Sequence, residues 1–315
     1  MGITRVWPLA GRRRGGRMGV SQRIDTLLIV GLGLIGGSLA AALHGKGFAR
    51  RITAFNRSRA SLDFALAAGL IDAAPQSLEA AVAEADLIVV GVPTLTVGQV
   101  FEVIRDHGRP GVLITDVASV KGSVVAAAAA AFGSVPPGLV PGHPIAGAEK
   151  SGVEAARADL FERHRVILTP LSCTDAVALE TVAAMWRLTA AEVVHMEVAT
   201  HDRILAMTSH LPHMLAFALV DSLARQSASE DIFRFAAGGF RDFTRIASSD
   251  AVMWRDIALA NRSALIDAID GFSVTLDALR SAVAASDGQA LEQVFVRARS
   301  AREHYLRWLE QGTRQ

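Results

Sequence analysis

A histidine set between glycine and proline, in Gly142-His143-Pro144-Ile-Ala-Gly147, heads the residues of this sequence that are able to do chemistry. Neutral imidazole accepts a proton near pH 7, which is what oxidation of an alcohol by hydride transfer requires at the hydroxyl. Ser119, in Asp116-Val-Ala-Ser119-Val-Lys121, reads either as the N-cap of a following helix or as a hydrogen-bond partner for the reacting hydroxyl. Ser209-His210-Leu-Pro-His213 puts two imidazoles three residues apart. That spacing suits metal ligation, but no Cys or carboxylate stands close enough in sequence to complete a site. No metal is therefore expected, and His213 reads better as a donor to a substrate carboxylate. Gly238-Gly239-Phe240-Arg241-Asp242-Phe243-Thr244-Arg245 carries two guanidinium groups. Either can take a carboxylate in a two-pronged pair, or both can sit in local ion pairs at the start of a surface helix.

These groups need something to act with, and Leu28-Ile-Val-Gly31-Leu32-Gly33-Leu34-Ile35-Gly36-Gly37-Ser38 supplies it. An apolar strand breaks into G-x-G-x-x-G and continues as a helix. The first glycine permits the tight turn, the second lets backbone approach a pyrophosphate, and the third lets helix pack close to strand. The helix N-terminus offers free N–H groups to the phosphates. Residues 31–36 are thus read as the core of a dinucleotide site. In folds that bind NAD, an acid about 20 residues past the glycines takes the ribose hydroxyls. Here the second strand ends Asn56-Arg57-Ser58, with no acid. Arg57 and Ser58 suit a 2′-phosphate, so NADP is favoured over NAD. The alternative leaves Arg57 and Arg59 solvated at a helix start, with Asn56 serving NAD through its amide.

The elements that position these residues alternate. Strands are expected at Thr26 to Val30, Arg51 to Phe55, Leu87 to Val92-Pro93, Val112 to Val117, Leu139-Val140, Val166 to Thr169 and Glu192 to His195. Helices are expected at Ser38 to Leu43, at Ser58 to Ala68, from about Lys121, and between the last two strands. The pattern is that of an α/β domain with a doubly wound, Rossmann-type parallel sheet. In such sheets ligands bind beyond the carboxyl ends of the strands. Gly31, Asn56, Val92-Pro93, Ser119 and His143 all follow strand ends. From about Val198 apolar residues recur at helical spacing and no further strand is convincing, so an all-helical domain is expected over residues 198–315. Its apolar content suits a buried homodimer interface. The nucleotide domain would be 23–197. Residues 1–22 hold Arg12-Arg13-Arg14 among glycines without periodicity, and read as a disordered or artefactual extension, with Met18 an alternative start.

Composition excludes several classes. The 315 residues carry a formal net charge of +1, which gives no electrostatic case for nucleic acid. No stretch is recognised as approaching the roughly 18 apolar residues needed to cross a membrane. The single Cys173 rules out an internal disulfide and suits a reducing cytoplasm.

Taken in order, VGLGLIGGSLA, TDVASVK, GHPIAGAEKSG, HDRILAMTSHLPH, GGFRDFTRIA and MWRDI resemble the prephenate/arogenate dehydrogenase family of tyrosine biosynthesis, and the resemblance covers most of the chain. It implies a nucleotide-binding domain followed by a helical dimerisation domain. It also implies oxidative decarboxylation of prephenate to 4-hydroxyphenylpyruvate, or of arogenate to tyrosine, with a small cyclohexadiene dicarboxylate as substrate. By that resemblance His143 accepts the ring hydroxyl proton and Ser119 hydrogen-bonds the hydroxyl and His143. His213 and Arg245 hold the substrate carboxylates, Glu149 lies near Arg245, and Trp254 lines the pocket. A β-hydroxyacid-type dehydrogenase is the nearest rival. It uses a catalytic lysine on the helical domain, whereas the lysines here are Lys46, Lys121 and Lys150. A nucleotide-binding sensor dimer without turnover is the rival from another class.

Overall fold

A computed structural model describes residues 24–148, 150–227 and 229–312. The chain divides between Val198 and Ala199 into two compact units.

The first unit is built on β1 (Ile24–Val30), α1 (Leu34–Leu43), β2 (Ala49–Phe55), α2 (Arg59–Ala67), α3 (Leu78–Glu84), β3 (Leu87–Val90), α4 (Val97–His107), β4 (Leu113–Asp116), α5 (Lys121–Phe132) and β5 (Leu139–Val140). The strands form a five-stranded parallel sheet in the order β2-β1-β3-β4-β5. Side chains alternate across β1. Leu27 and Ile29 face one apolar layer with Leu39 and Leu43 of α1, Leu62 of α2 and Trp186. Leu28 and Val30 face the other, with Val82 of α3, Phe101 and Ile104 of α4 and Val124 of α5. A strand buried on both faces reads as a continuous apolar run, as Leu28 to Val30 does.

Three features depart from the sequence expectation. Helix α1 begins at Leu34 rather than Ser38, directly after Gly33, because Gly36 and Gly37 are helical despite their low propensity. The Gly-His-Pro segment, outside the strands expected from the sequence, is itself a short strand, β6 (Gly142–Pro144). It pairs antiparallel with β7 (Arg165–Leu168), which pairs parallel with β8 (Glu192–His195). With α6 (Ala176–Leu188) these make a separate three-stranded sheet instead of extending the parallel one.

In the second unit every described element is helical: α7 (Val198–Leu205), α8 (Leu211–Ala224), α9 (Ser229–Arg234), α10 (Gly238–Thr244), α11 (Ala251–Ala260), α12 (Arg262–Ala284) and α13 (Gly288–Gly312). A π-helical turn, Ala206–His210, joins α7 to α8, and the Leu211 N–H donates to the Ala206 carbonyl. Pro212 has no N–H to give Thr208 in the ordinary helical register, and the wider turn accommodates it. The result is one 27-residue helical run, Val198–Ala224, with a mean hydropathy of 1.3 in its most apolar window. By length and composition it is long enough to cross a membrane, contrary to the sequence expectation. His210, Pro212 and His213 break the run into short apolar pieces when it is read linearly. The core helices of soluble proteins share this length and composition.

Candidate active site

In a parallel sheet all strands end at the same edge, so the strand order fixes what lies side by side there. From β2 to β5 the edge carries Asn56-Arg57-Ser58, the Gly31–Gly36 loop, Val92-Pro93, the Ala118-Ser119 turn and the Gly142-His143 segment. The ladder continues into these turns. The Gly31 N–H donates to the Phe55 carbonyl (2.9 Å), Gly91 to Val30 (2.7 Å) and Val117 to Val90 (3.1 Å).

The glycine loop has the shape of a phosphate cradle. Gly31 has φ +98°, which L side chains rarely adopt, and a Cβ there would collide with the Gly91 carbonyl. A Cβ on Gly36 would collide with the Gly31 carbonyl, so the third glycine lets α1 start against the strand end. The Gly37 N–H is bonded to the Gly33 carbonyl (2.8 Å). The N–H groups of Leu34, Ile35 and Gly36 precede the first helical bond, and no side chain caps them.

Asn56 turns its amide oxygen toward this loop, accepting from the Leu32 N–H at 3.4 Å. Ser58 caps α2, its hydroxyl oxygen accepting from the Ser61 N–H at 3.3 Å. Arg59 pairs with Asp63 at 2.8 Å on the same helix. Arg57 is exposed and has no ion-pair partner among the described residues. Pro93 leads into a short 3-10 turn, where its carbonyl accepts from both the N–H and the hydroxyl of Thr96 at 2.8 Å.

Ser119 is not a helix cap. Val120 occupies the N-cap position of α5 and its own side chain makes no cap hydrogen bond, so Ser119 stands in the turn before the helix, half-buried. Two residues that the sequence reading passed over organise this corner. Asp116 and Lys121 are completely buried and form an ion pair. The Lys121 Nζ also donates to the Gly142 carbonyl (2.5 Å), and the Asp116 carboxylate accepts from the N–H groups of Ala118 (2.9 Å) and Gly142 (3.2 Å). His143 follows directly, half-buried, opposite Ile167 of β7.

In the second unit the π turn and α8 carry His210 and His213. The His213 Nδ1 lies 2.9 Å from the Ser209 carbonyl. A carbonyl only accepts, so Nδ1 carries the proton and Nε2 of the neutral ring is an acceptor. The His213 ring stacks on Trp254 of α11, which is buried, at 3.6 Å between centroids. Burial holds the His213 pKa below its ordinary value, with Arg245 adding in the same direction against the Ser209 hydrogen bond. His210 meets Trp254 edge-on and is buried deeply enough to push its pKa down to about 4. Its Nδ1 accepts from the Asn261 amide at 3.1 Å, and the same amide donates to the Asp202 carbonyl at 2.8 Å. Arg245, on the 3-10 turn after α10, lines a cleft of about 430 Å³ with Phe233, Phe240, Arg241 and Thr244. Arg241 and Arg245 thus share one cleft. His210 and His213 are held by ring stacking and amide contacts, and no cluster of three metal-binding side chains occurs among the described residues. Glu149 lies outside the described residues.

Fold and edge geometry together define a nucleotide-binding protein of the doubly wound class. Residues 39–195 match the family model of the prephenate dehydrogenase nucleotide-binding domain, and 197–297 match that of the prephenate dehydrogenase dimerization domain. The chain belongs to the prephenate dehydrogenase family. It is 37% identical over 279 residues to the cyclohexadienyl dehydrogenase of Zymomonas mobilis, covering 88% of this chain and 94% of that protein. It is 38% identical over 292 residues to the prephenate dehydrogenase of Bacillus subtilis, covering 90% of this chain and 77% of that protein. Among solved structures it is similar to the prephenate dehydrogenase of A. aeolicus in complex with hydroxyphenyl propionate and NAD+. There the TM-score is 0.82 with 36% identity over 90% of this chain and 99% of that one.

Proposed function

We infer that this chain is a dehydrogenase that oxidatively decarboxylates prephenate to 4-hydroxyphenylpyruvate, and also accepts arogenate, in tyrosine biosynthesis. The observation that carries the reading is the shared sheet edge: the glycine cradle follows β1, Ser119 follows β4, and His143 follows β5 of one parallel sheet, within the short strand β6 that leads away from it. Four inter-strand gaps of about 4.8 Å span about 19 Å, enough for an extended dinucleotide.

The residues fit a nicotinamide dinucleotide. Glycine at 31 and 36 lets the turn and α1 close against the strand ends, the space beside Gly33 is open, and the N–H groups of Leu34, Ile35 and Gly36 can bind a pyrophosphate there. Leu32, Gly33, Val92 and Pro93 flank it. Arg57 and Ser58 would take a ribose 2′-phosphate, and we favour NADP over NAD on that ground. When bound, the nicotinamide supplies the hydride acceptor. His143 takes the proton of the ring hydroxyl, and Ser119 hydrogen-bonds that hydroxyl and keeps it facing the imidazole. Hydride leaves the carbinol carbon, the ring carboxylate departs as carbon dioxide, and its electron pair completes the aromatic ring, leaving a phenolate oxygen that recovers its proton from His143. His213 and Arg245 hold the substrate carboxylates, and Trp254 lines the pocket through its stack on His213. Orientation of a dianion and removal of one proton account for most of what the protein must do.

The second unit leaves Leu259, Ile266, Val274, Leu276 and Val283 exposed within a single chain. A homodimer through this unit would cover such surface, and the match to a dimerization domain supports that reading. We place the enzyme in the cytoplasm, in keeping with a free, exposed Cys173.

Substitution of the proposed base tests the assignment. His143→Asn is expected to cut kcat by at least about 100-fold while leaving dinucleotide affinity within a few-fold. A near-normal kcat would remove His143 from the role.

A further inference from the structure

We propose that the buried Asp116–Lys121 pair is a positioning device that sets the Ser119 turn and the His143 strand relative to each other. The inference rests on the reading of His143 as the proton acceptor. Both side chains have no exposed surface. A buried ion pair is weak evidence for stability, since its desolvation cost offsets most of its attraction. A different role follows from what else the pair touches.

Asp116 ends β4, and its carboxylate accepts from the Ala118 N–H at 2.9 Å, one residue before Ser119. The same carboxylate accepts from the Gly142 N–H at 3.2 Å, one residue before His143. Lys121 opens α5 and its Nζ donates to the Gly142 carbonyl at 2.5 Å. Both polar groups of the Gly142 residue are thus tied to the pair, and one carboxylate grips both segments. The approach is close: a Cβ at Gly142 would lie 3.0 Å from the Asp116 carbonyl and 3.2 Å from Leu168. On its far side β6 is pinned by pairing with β7, and the Ile145 N–H donates to the Arg165 carbonyl at 2.7 Å. The parallel sheet alone does not set this corner, because β5 is only two residues long and β6 belongs to another sheet. The pair is a side-chain link between the two sheets at the point where the base emerges, beside the chain itself at Pro141.

Lys121→Met, the double variant Asp116→Asn/Lys121→Met and Lys121→Arg test the proposal. The double variant removes the uncompensated carboxylate, and so keeps the test open where the single variant fails to fold. Loss of the clamp is expected to lower kcat by about 30- to 100-fold, with KM and dinucleotide affinity within about threefold. Lys121→Arg, which keeps the charge, is expected to recover part of kcat. Amide hydrogen exchange should quicken together in 117–120 and 139–144 and stay unchanged in β1 to β3. Unchanged kcat with unchanged exchange would overturn the clamp, as would a kcat loss matched by an equal loss of dinucleotide affinity. If the unsubstituted enzyme turned over no cyclohexadiene, the functional reading would fail instead, and the exchange pattern alone would decide the clamp.

Discussion

The indole of Trp254 lies flat on the imidazole of His213, ring centroids 3.6 Å apart and planes 20° from parallel. With Nδ1 committed to the Ser209 carbonyl, the orientation of His213 is fixed from two directions. Its Nε2 can donate to a carboxylate only when the ring is protonated.

That has a consequence for pH. Burial, with Arg245 nearby, holds the pKa of His213 in the free protein below that of an ordinary imidazole, which favours the neutral ring. On the proposed role of His213, binding a carboxylate there takes up a proton. The KM for prephenate is therefore expected to rise with pH above neutrality, by up to about tenfold per unit, the one-proton limit. In His213→Asn the profile should flatten and KM should be higher throughout. Steady-state kinetics from pH 6.5 to about 9 check this, and a flat KM in the unsubstituted enzyme would remove the imidazolium from binding.

Gly36→Ala should abolish dinucleotide binding with modest effect on the second unit. The new methyl would collide with the Gly31 carbonyl, backbone that cannot move aside without disturbing the strand end. Titration with either cofactor, followed by protein fluorescence, reads the loss. An affinity within threefold of the original would mean that the loop is not the phosphate cradle.

Much of this was legible in the residues. The glycine spacing fixed the first turn because only glycine tolerates the φ of +98° at Gly31 and the contact at Gly36. The parallel sheet followed from apolar runs such as Leu87 to Val90, buried on both faces. Other parts were illegible for physical reasons. Strand β6 is three residues, one of them proline, and exists through a partner more than twenty residues away. Lys121 was read past because lysine is almost never fully buried, and its burial depends on Asp116 and Gly142 being brought together by the fold. Of the two readings open for Ser119, helix cap or partner of the reacting hydroxyl, the cap does not hold, because the helix begins one residue later than a serine cap would require. The roles of His210 and Asn261 come from a contact across 51 positions of sequence.

On the proposed reading, Arg57 carries the cofactor preference. It is exposed at the end of β2 beside Asn56, where an acid would repel a 2′-phosphate. Arg57→Ala is expected to weaken NADP by about 10-fold or more and NAD by less than threefold, in line with loss of a charge-assisted hydrogen bond. Equal losses for the two cofactors would refute the assignment.

The most direct measurement is reduced-nicotinamide absorbance with prephenate or arogenate, each with NADP or NAD, alongside carbon dioxide release. The account predicts turnover with prephenate, fastest with NADP, and one carbon dioxide for each cofactor reduced. A folded dimer that binds the dinucleotide but reduces none of it with either cyclohexadiene would contradict it.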